Sequence, residues 1–131
     1  MKQKFYKCSV CGQIVAKVKE TGAPVMCCGA VMQEMIAGTV EASVEKHVPE
    51  FKVENGVVKV NVGSIEHPMI QEHYIEWISL QTKAGNQRKF LTSGMKPYIE
   101  FLISDGDEVE AVYAYCNLHG LWKAWLQKLF F

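Results

Sequence analysis

Four cysteines crowded into the first 28 residues, as Cys8-Ser9-Val10-Cys11 and the adjacent pair Cys27-Cys28, constrain this chain more than any other feature. A block that short cannot bury enough apolar surface to hold itself together, and a cross-link is the usual remedy. The C-x-x-C spacing lets two thiolates converge on one metal with backbone amides turned toward the sulfurs, and four thiolates suit a tetrahedral zinc or iron ion. Spacing alone favours a structural zinc, with an iron centre and disulfides as the alternatives. The chain holds five cysteines, an odd number that fits poorly with a complete disulfide framework. Adjacent ligands should also distort a tetrahedron more than a second C-x-x-C would, which matters for an iron's redox behaviour and little for a zinc staple.

The start, Met1-Lys2-Gln3-Lys4-Phe5-Tyr6-Lys7-Cys8, enters the cysteine motif before any useful apolar stretch, and no apolar run is long enough to span a bilayer. A cytoplasmic location is therefore expected, where thiols stay reduced and clustered cysteines are metal ligands before they are disulfides. Fourteen basic and fourteen acidic side chains cancel, so no global field points to nucleic acid or a membrane surface.

Residues 1–37 read as a four-cysteine metal domain, with turns at Cys11-Gly12, Thr21-Gly22-Ala23-Pro24 and Cys28-Gly29, and residues 38–131 as a second, all-β domain. Phe51 to Val62 is a hairpin about Asn55-Gly56, a type I′ signal, which sets Val53 against Val58 and Phe51 against Val60 on an apolar face. The other face opposes Lys52 and Lys59, a like-charge penalty. His73 to Gln81 reads as a strand closed by Ala84-Gly85-Asn86, with Arg88 to Thr92 returning beside it. Tyr98 to Ile103 and Val109 to Cys116 flank the turn Asp105-Gly106-Asp107. Short strands at this spacing predict an antiparallel sandwich or barrel. Near the end, Trp122, Trp125, Leu126 and Leu129 share one helical stripe. A docked helix, a strand with apolar ends, or, with Phe130 and Phe131, a partner surface would each account for it.

The second domain contains every histidine and the fifth cysteine: His47, His67, His73, Cys116 and His119. Pro49 and Pro68 make the loops around His47 and His67 plausible ligand-bearing edges, since proline disfavours the helical region for the residue before it. Cys116 is in phase with Val112 and Ala114, so its sulfur should face apolar surroundings, and His119 is near enough in sequence to reach the same ion. Nitrogen-rich ligation with one thiolate suits iron, copper or zinc. Singly, each residue would more often be structural.

Lys7-Cys8-Ser9-Val10-Cys11-Gly12 with Cys27-Cys28-Gly29 resembles a desulforedoxin-type iron module. Three further stretches resemble the catalytic domain of superoxide reductases: Glu45 to Pro49, Gly63 to Met69 followed by His73 to Ile78, and Tyr115 to Lys123. Together they resemble desulfoferrodoxins, the two-iron class, over nearly the whole chain, and they use every cysteine and histidine. The resemblance implies a small rubredoxin-like or desulforedoxin-like unit, then a seven-stranded immunoglobulin-like β-sandwich, in a homodimer. It implies two irons per chain, one held by Cys8, Cys11, Cys27 and Cys28. The other would have His47, His67, His73 and His119 around it in one plane and Cys116 on its axis, leaving one face open. The activity implied is reduction of superoxide to hydrogen peroxide without dismutation, fed by a rubredoxin-like electron donor. Lys46 would guide the anion, and Glu45 would take the open position once product leaves. An electron carrier working through the four-cysteine iron, or a zinc-stabilised interaction module, are the competing readings. The chain departs from the family at its end, running on from Trp122-Lys123 to Phe131.

Overall fold

Residues 2–39 and 42–125 are described by the computed structural model of the chain. The fold divides between Ile36 and Ala37 into two units. In the first, β1 (Phe5–Lys7) lies between β2 (Ile14–Ala16) and β5 (Gln33–Glu34), while β3 (Met26–Cys27) and β4 (Ala30–Val31) form a separate two-stranded hairpin. The strands are two or three residues long. Ladders that short contribute little, and among the described residues of this unit the buried apolar side chains are Phe5, Cys8 and Met32. Its shape is set instead by turns. Gly12 N donates to Cys8 O at 3.0 Å and Cys8 N to Gln13 O at 2.9 Å, closing the knuckle. Cys28 (φ 52°) and Gly29 (φ 75°) are the two left-handed residues that turn β3 into β4.

The second unit begins its regular structure with one helical turn, α1 (Val44–His47), which ends because Val48, extended at φ −70° and ψ 120°, precedes Pro49. Seven strands follow among the described residues: β6 (Pro49–Glu54), β7 (Val57–Val62), β8 (Ile75–Thr82), β9 (Asn86–Phe90), β10 (Tyr98–Leu102), β11 (Val109–Cys116) and β12 (Gly120–Trp125). They form two antiparallel sheets, ordered β10-β7-β6 and β12-β11-β8-β9. Val58, Val60, Val62 and Phe101 of the first sheet pack with Ile75, Ile78, Leu80, Val112, Ala114 and Cys116 of the second, all wholly buried. Each such Val, Ile, Leu or Phe contributes about 1.5–3 kcal/mol relative to an exposed position. This is the expected sandwich, and Cys116 does lie in phase with Val112 and Ala114 on its inner face.

The β6–β7 hairpin has the expected register, Phe51 opposite Val60, Lys52 opposite Lys59 and Val53 opposite Val58. Asn55 (φ 50°) and Gly56 (φ 75°) supply the two left-handed residues of its turn. The like-charge penalty is relieved by Glu54, whose carboxylate lies 3.3 Å from Lys52 Nζ and 3.1 Å from Lys59 Nζ. Val53 remains 46% exposed because β6 is an edge strand.

One expectation changes, and one pair of alternatives is resolved. His73 does not open a strand: it closes a tight bridge with Ile70, and the ladder begins at Ile75. Trp122 and Trp125 lie on a strand, not a helical stripe, because the turn ending at Gly120 (φ 75°) folds β12 back onto β11. Strand residues three apart face opposite sides, so Trp122 is 4% exposed and Trp125 54%. Leu126, Leu129, Phe130 and Phe131 lie outside the described residues. Among the described residues no helix is long and apolar enough to cross a membrane.

Candidate metal centres

In the first unit the sulfurs of Cys8, Cys11, Cys27 and Cys28 lie within 4.8 Å of one another, and all five cysteines of the chain are free. Cys11 and Cys27 sulfurs are 3.6 Å apart, and those of Cys27 and Cys28 are 3.9 Å apart. A tetrahedron with metal–sulfur bonds of about 2.3 Å has edges of about 3.8 Å, so this cluster fits one ion. The backbone N–H groups of Cys11 and Val10 each donate to Cys8 Sγ at 3.4 Å. Those amides hold the Cys8 thiol down to about 6, whereas the Cys8 and Cys11 sulfurs beside Cys27 push its thiol up to about 12. Four thiolates cannot share so small a space without a cation to offset their repulsion. Cys11 and Cys28 are exposed, so the cluster is open to solvent.

In the second unit the four imidazoles close into a ring. His47 and His67 centroids are 4.6 Å apart, His67 and His73 4.7 Å, His73 and His119 5.0 Å, and His119 and His47 4.9 Å, each pair nearly perpendicular at 80–84°. Across the ring, His47 and His73 are 6.2 Å apart and tilted by only 28°. Cys116 Sγ lies 4.0 Å from His119 Nδ1 and falls within the same 4.8 Å cluster as His47, His67 and His73.

For His47 and His67 the nitrogen turned inward is set by what stands behind the ring. His47 Nδ1 is 2.6 Å from the Ser43 carbonyl oxygen, and His67 Nδ1 is 2.6 Å from that of Pro68. A carbonyl can only accept, so both Nδ1 atoms carry protons and both Nε2 atoms are bare acceptors. His67 Nε2 and His73 Nε2 are buried with no hydrogen-bond partner, and His47 Nε2 faces His119 Nδ1 at 3.0 Å. Orphaned buried acceptors are costly unless something binds them, and a metal ion is what several converging imidazoles bind. Burial holds His67 at about 4 and lowers His47 and His73 as well, which keeps the rings neutral and able to ligate. Burial also raises the Cys116 thiol, opposed by the amides of His119 and Leu118 aimed at its sulfur.

Glu45 and Lys46 are exposed on α1. The positive charge of Lys46 reaches the ring, since it helps to lower both His47 and His73. The Glu45 carboxylate instead accepts a hydrogen bond from Ser43 Oγ at 2.8 Å, which holds its pKa down. The turn after β7 clasps this helical turn from behind. Ile65 N and Ser64 Oγ both donate to the Glu45 carbonyl, at 3.0 and 3.3 Å. Gly63 (φ +76°) allows the approach, because a Cβ there would stand 2.6 Å from Lys46 Cα.

Sequence reasoning assigned no role to three residues that touch the ring or its supports. Trp122 lies against His47, its ring 4.9 Å away and tilted by 32°, and donates Nε1–H to the His119 carbonyl at 2.9 Å. Ser43 holds His47 and Glu45. Asn117 bonds to the backbone of Glu72 and Tyr74 on either side of His73. Only proximity in sequence to ligands could have flagged them.

Comparison with known proteins follows the same division. The family described as Desulfoferrodoxin matches residues 39–125, and that described as Desulfoferrodoxin, N-terminal domain, matches residues 1–35. The chain is 45% identical over 120 residues to a desulfoferrodoxin of Nitratidesulfovibrio vulgaris, covering 92% of this chain and 94% of that protein. A superoxide reductase of Pyrococcus horikoshii is 37% identical and covers 60% of this chain and 84% of its own length. Among solved structures, the superoxide reductase from Treponema pallidum superposes with a TM-score of 0.80 at 36% identity, covering 95% of this chain and 99% of its own. The one-iron superoxide reductase from Giardia intestinalis superposes with a TM-score of 0.54 at 34% identity, covering 64% and 99%.

Proposed function

The chain belongs to the desulfoferrodoxin family, and from that membership we propose that it is a superoxide reductase, converting superoxide to hydrogen peroxide without forming dioxygen. The four-cysteine and histidine–cysteine clusters match the family's two iron sites, and iron is the cofactor of both. The observation that carries the proposal is the pair of buried, unpartnered ring nitrogens, His67 Nε2 and His73 Nε2, gathered with the ligand atoms of His47 and Cys116 within 4.8 Å of one another.

Each superoxide takes up one electron and two protons to become one hydrogen peroxide. Iron held by the histidines and Cys116 would supply the electron and bind the anion. His47, His67, His73, His119 and Cys116 are its ligands, and Cys8, Cys11, Cys27 and Cys28 hold the other iron. The Ser43 and Pro68 carbonyls keep the Nδ1 protons of His47 and His67, so the Nε2 lone pairs stay committed to the centre. Cys116, the single sulfur among nitrogens, is the electron-rich donor that favours giving an electron away. Lys46 draws in the anion and orders the water that delivers its protons. For Glu45 to reach the centre after product leaves, its carboxylate must first give up Ser43.

Family membership also supports a rubredoxin-like electron donor, a homodimer and a cytoplasmic setting in which the exposed Cys11 and Cys28 stay reduced. Stopped-flow mixing of the reduced, iron-loaded protein with superoxide tests the activity. Wild type should consume superoxide at the histidine centre, while Cys116→Ser should lose that reaction and keep the four-cysteine spectrum. A Cys116→Ser protein with full activity would remove the thiolate from the account.

A further inference from the structure

Asn117 stands between Cys116 and His119 and is joined three times to the segment that carries His73. Its side-chain Oδ1 accepts from Tyr74 N at 3.0 Å, its Nδ2 donates to the Glu72 carbonyl at 3.0 Å, and its backbone N donates to the Tyr74 carbonyl at 3.2 Å. The two side-chain bonds bracket His73, one on each side. They also take over where the sheet stops, since the β11–β8 register shifts between Tyr115 and Cys116 and the ladder ends with Cys116 opposite Ile75. A carboxamide offers one donor and one acceptor in the geometry of a peptide group, so here it stands in for the next rung.

We infer that Asn117 is a positioning residue of the histidine–cysteine centre, locking the Cys116–His119 turn to the backbone on either side of His73. Cys116 and His119 come from the end of β11 and the turn after it, and His73 from the bridge before β8. Without the carboxamide, the two ligand-bearing segments are joined beyond the ladder by the Asn117 N–H bond to Tyr74 alone among these three. Partners that fix ligand orientation typically change metal affinity by about 10- to 100-fold when removed. Aspartate has the same shape but no donor, and it would set a carboxylate oxygen against the Glu72 carbonyl. Alanine removes both bonds.

This role rests on the histidine–cysteine centre being the working iron site, and the four-cysteine iron in the same chain serves as an internal reference. Full-length iron-loaded wild type, Asn117→Ala and Asn117→Asp are challenged with a chelator while both iron spectra are followed. Gln81→Ala, which cuts the 3.0 Å bond from Gln81 Nε2 to Glu110 at the far end of the same two strands, controls for general loosening of the sheet. Both Asn117 variants should lose iron from the histidine centre about tenfold faster or more and shift the Cys116 thiolate-to-iron absorption band, with the four-cysteine iron unchanged. Wild-type retention and an unshifted band in both variants overturn the inference, as does an equal shift in Gln81→Ala. Failure of both variants to fold while Gln81→Ala folds would make Asn117 a folding residue and overturn it too. A wild type that binds no iron at the histidine centre defeats the superoxide reductase reading itself and takes this inference with it.

Discussion

Gly63→Ala tests how closely the ring of histidines depends on backbone that no ligand belongs to. The added methyl would stand 2.6 Å from Lys46 Cα and from the Ile65 carbonyl oxygen, and closer still to the Glu45 carbonyl oxygen. These are backbone atoms, and restoring an ordinary contact near 3.4 Å means moving them by about 0.8 Å or more. Gly63 also sits at φ +76°, where a side chain costs roughly 1–2 kcal/mol. The conformational cost alone should lower the melting temperature of the second unit by at least about 4 °C, from roughly 4–8 °C per kcal/mol for a domain of this size. The displaced segment is Glu45–Lys46, directly before His47, so the bimolecular reaction with superoxide should slow as well. Calorimetry and pulse radiolysis on the iron-loaded protein measure the two effects, with the four-cysteine absorption as the check that the first unit is intact. A variant that melts and reacts like wild type would refute the claim that this clasp sets the site.

Lys46→Ala should slow the second-order reaction by at least about 3-fold at low ionic strength, the effect of a unit charge acting over roughly 6 Å even at the dielectric of bulk water. The difference should shrink as salt is added, and an unchanged rate at low salt would remove the steering role. Through His67 the metal-free protein should lose stability as pH falls from about 6.5 to about 4. Folded His67 stays neutral down to about 4, whereas an unfolded imidazole takes up its proton near 6.5. The loss, at most about 3 kcal/mol by this group, should flatten in His67→Gln, as read by urea melts across that pH range.

The hairpin of β6 and β7 was legible to the residue because Asn55-Gly56 fixes a turn type, and the turn type fixes the register. The inner face of β11 followed from alternation alone, which turned Cys116 with Val112 and Ala114. The start of β8 did not follow, because Tyr74 spends its backbone N–H on the side chain of a residue 43 positions away. Trp122 and Trp125 fit a helical stripe equally well until their pairing with β11 is known, since spacing of three says nothing about a partner strand. The set of histidines was readable as a group, but not their ring. His47 and His119 are 72 residues apart, and the nitrogen each presents depends on carbonyls and ring contacts that only the folded chain supplies.

Counting products against superoxide consumed addresses the function most directly. The reduced, iron-loaded protein, held short of superoxide in a pulse-radiolysis cell with peroxide and dioxygen both measured, should yield one hydrogen peroxide for each superoxide lost and no dioxygen, with the histidine-centre spectrum oxidised in step. Half as much peroxide accompanied by dioxygen would mean dismutation, and superoxide decaying at its spontaneous rate would mean that the converging His47, His67, His73 and Cys116 do something else.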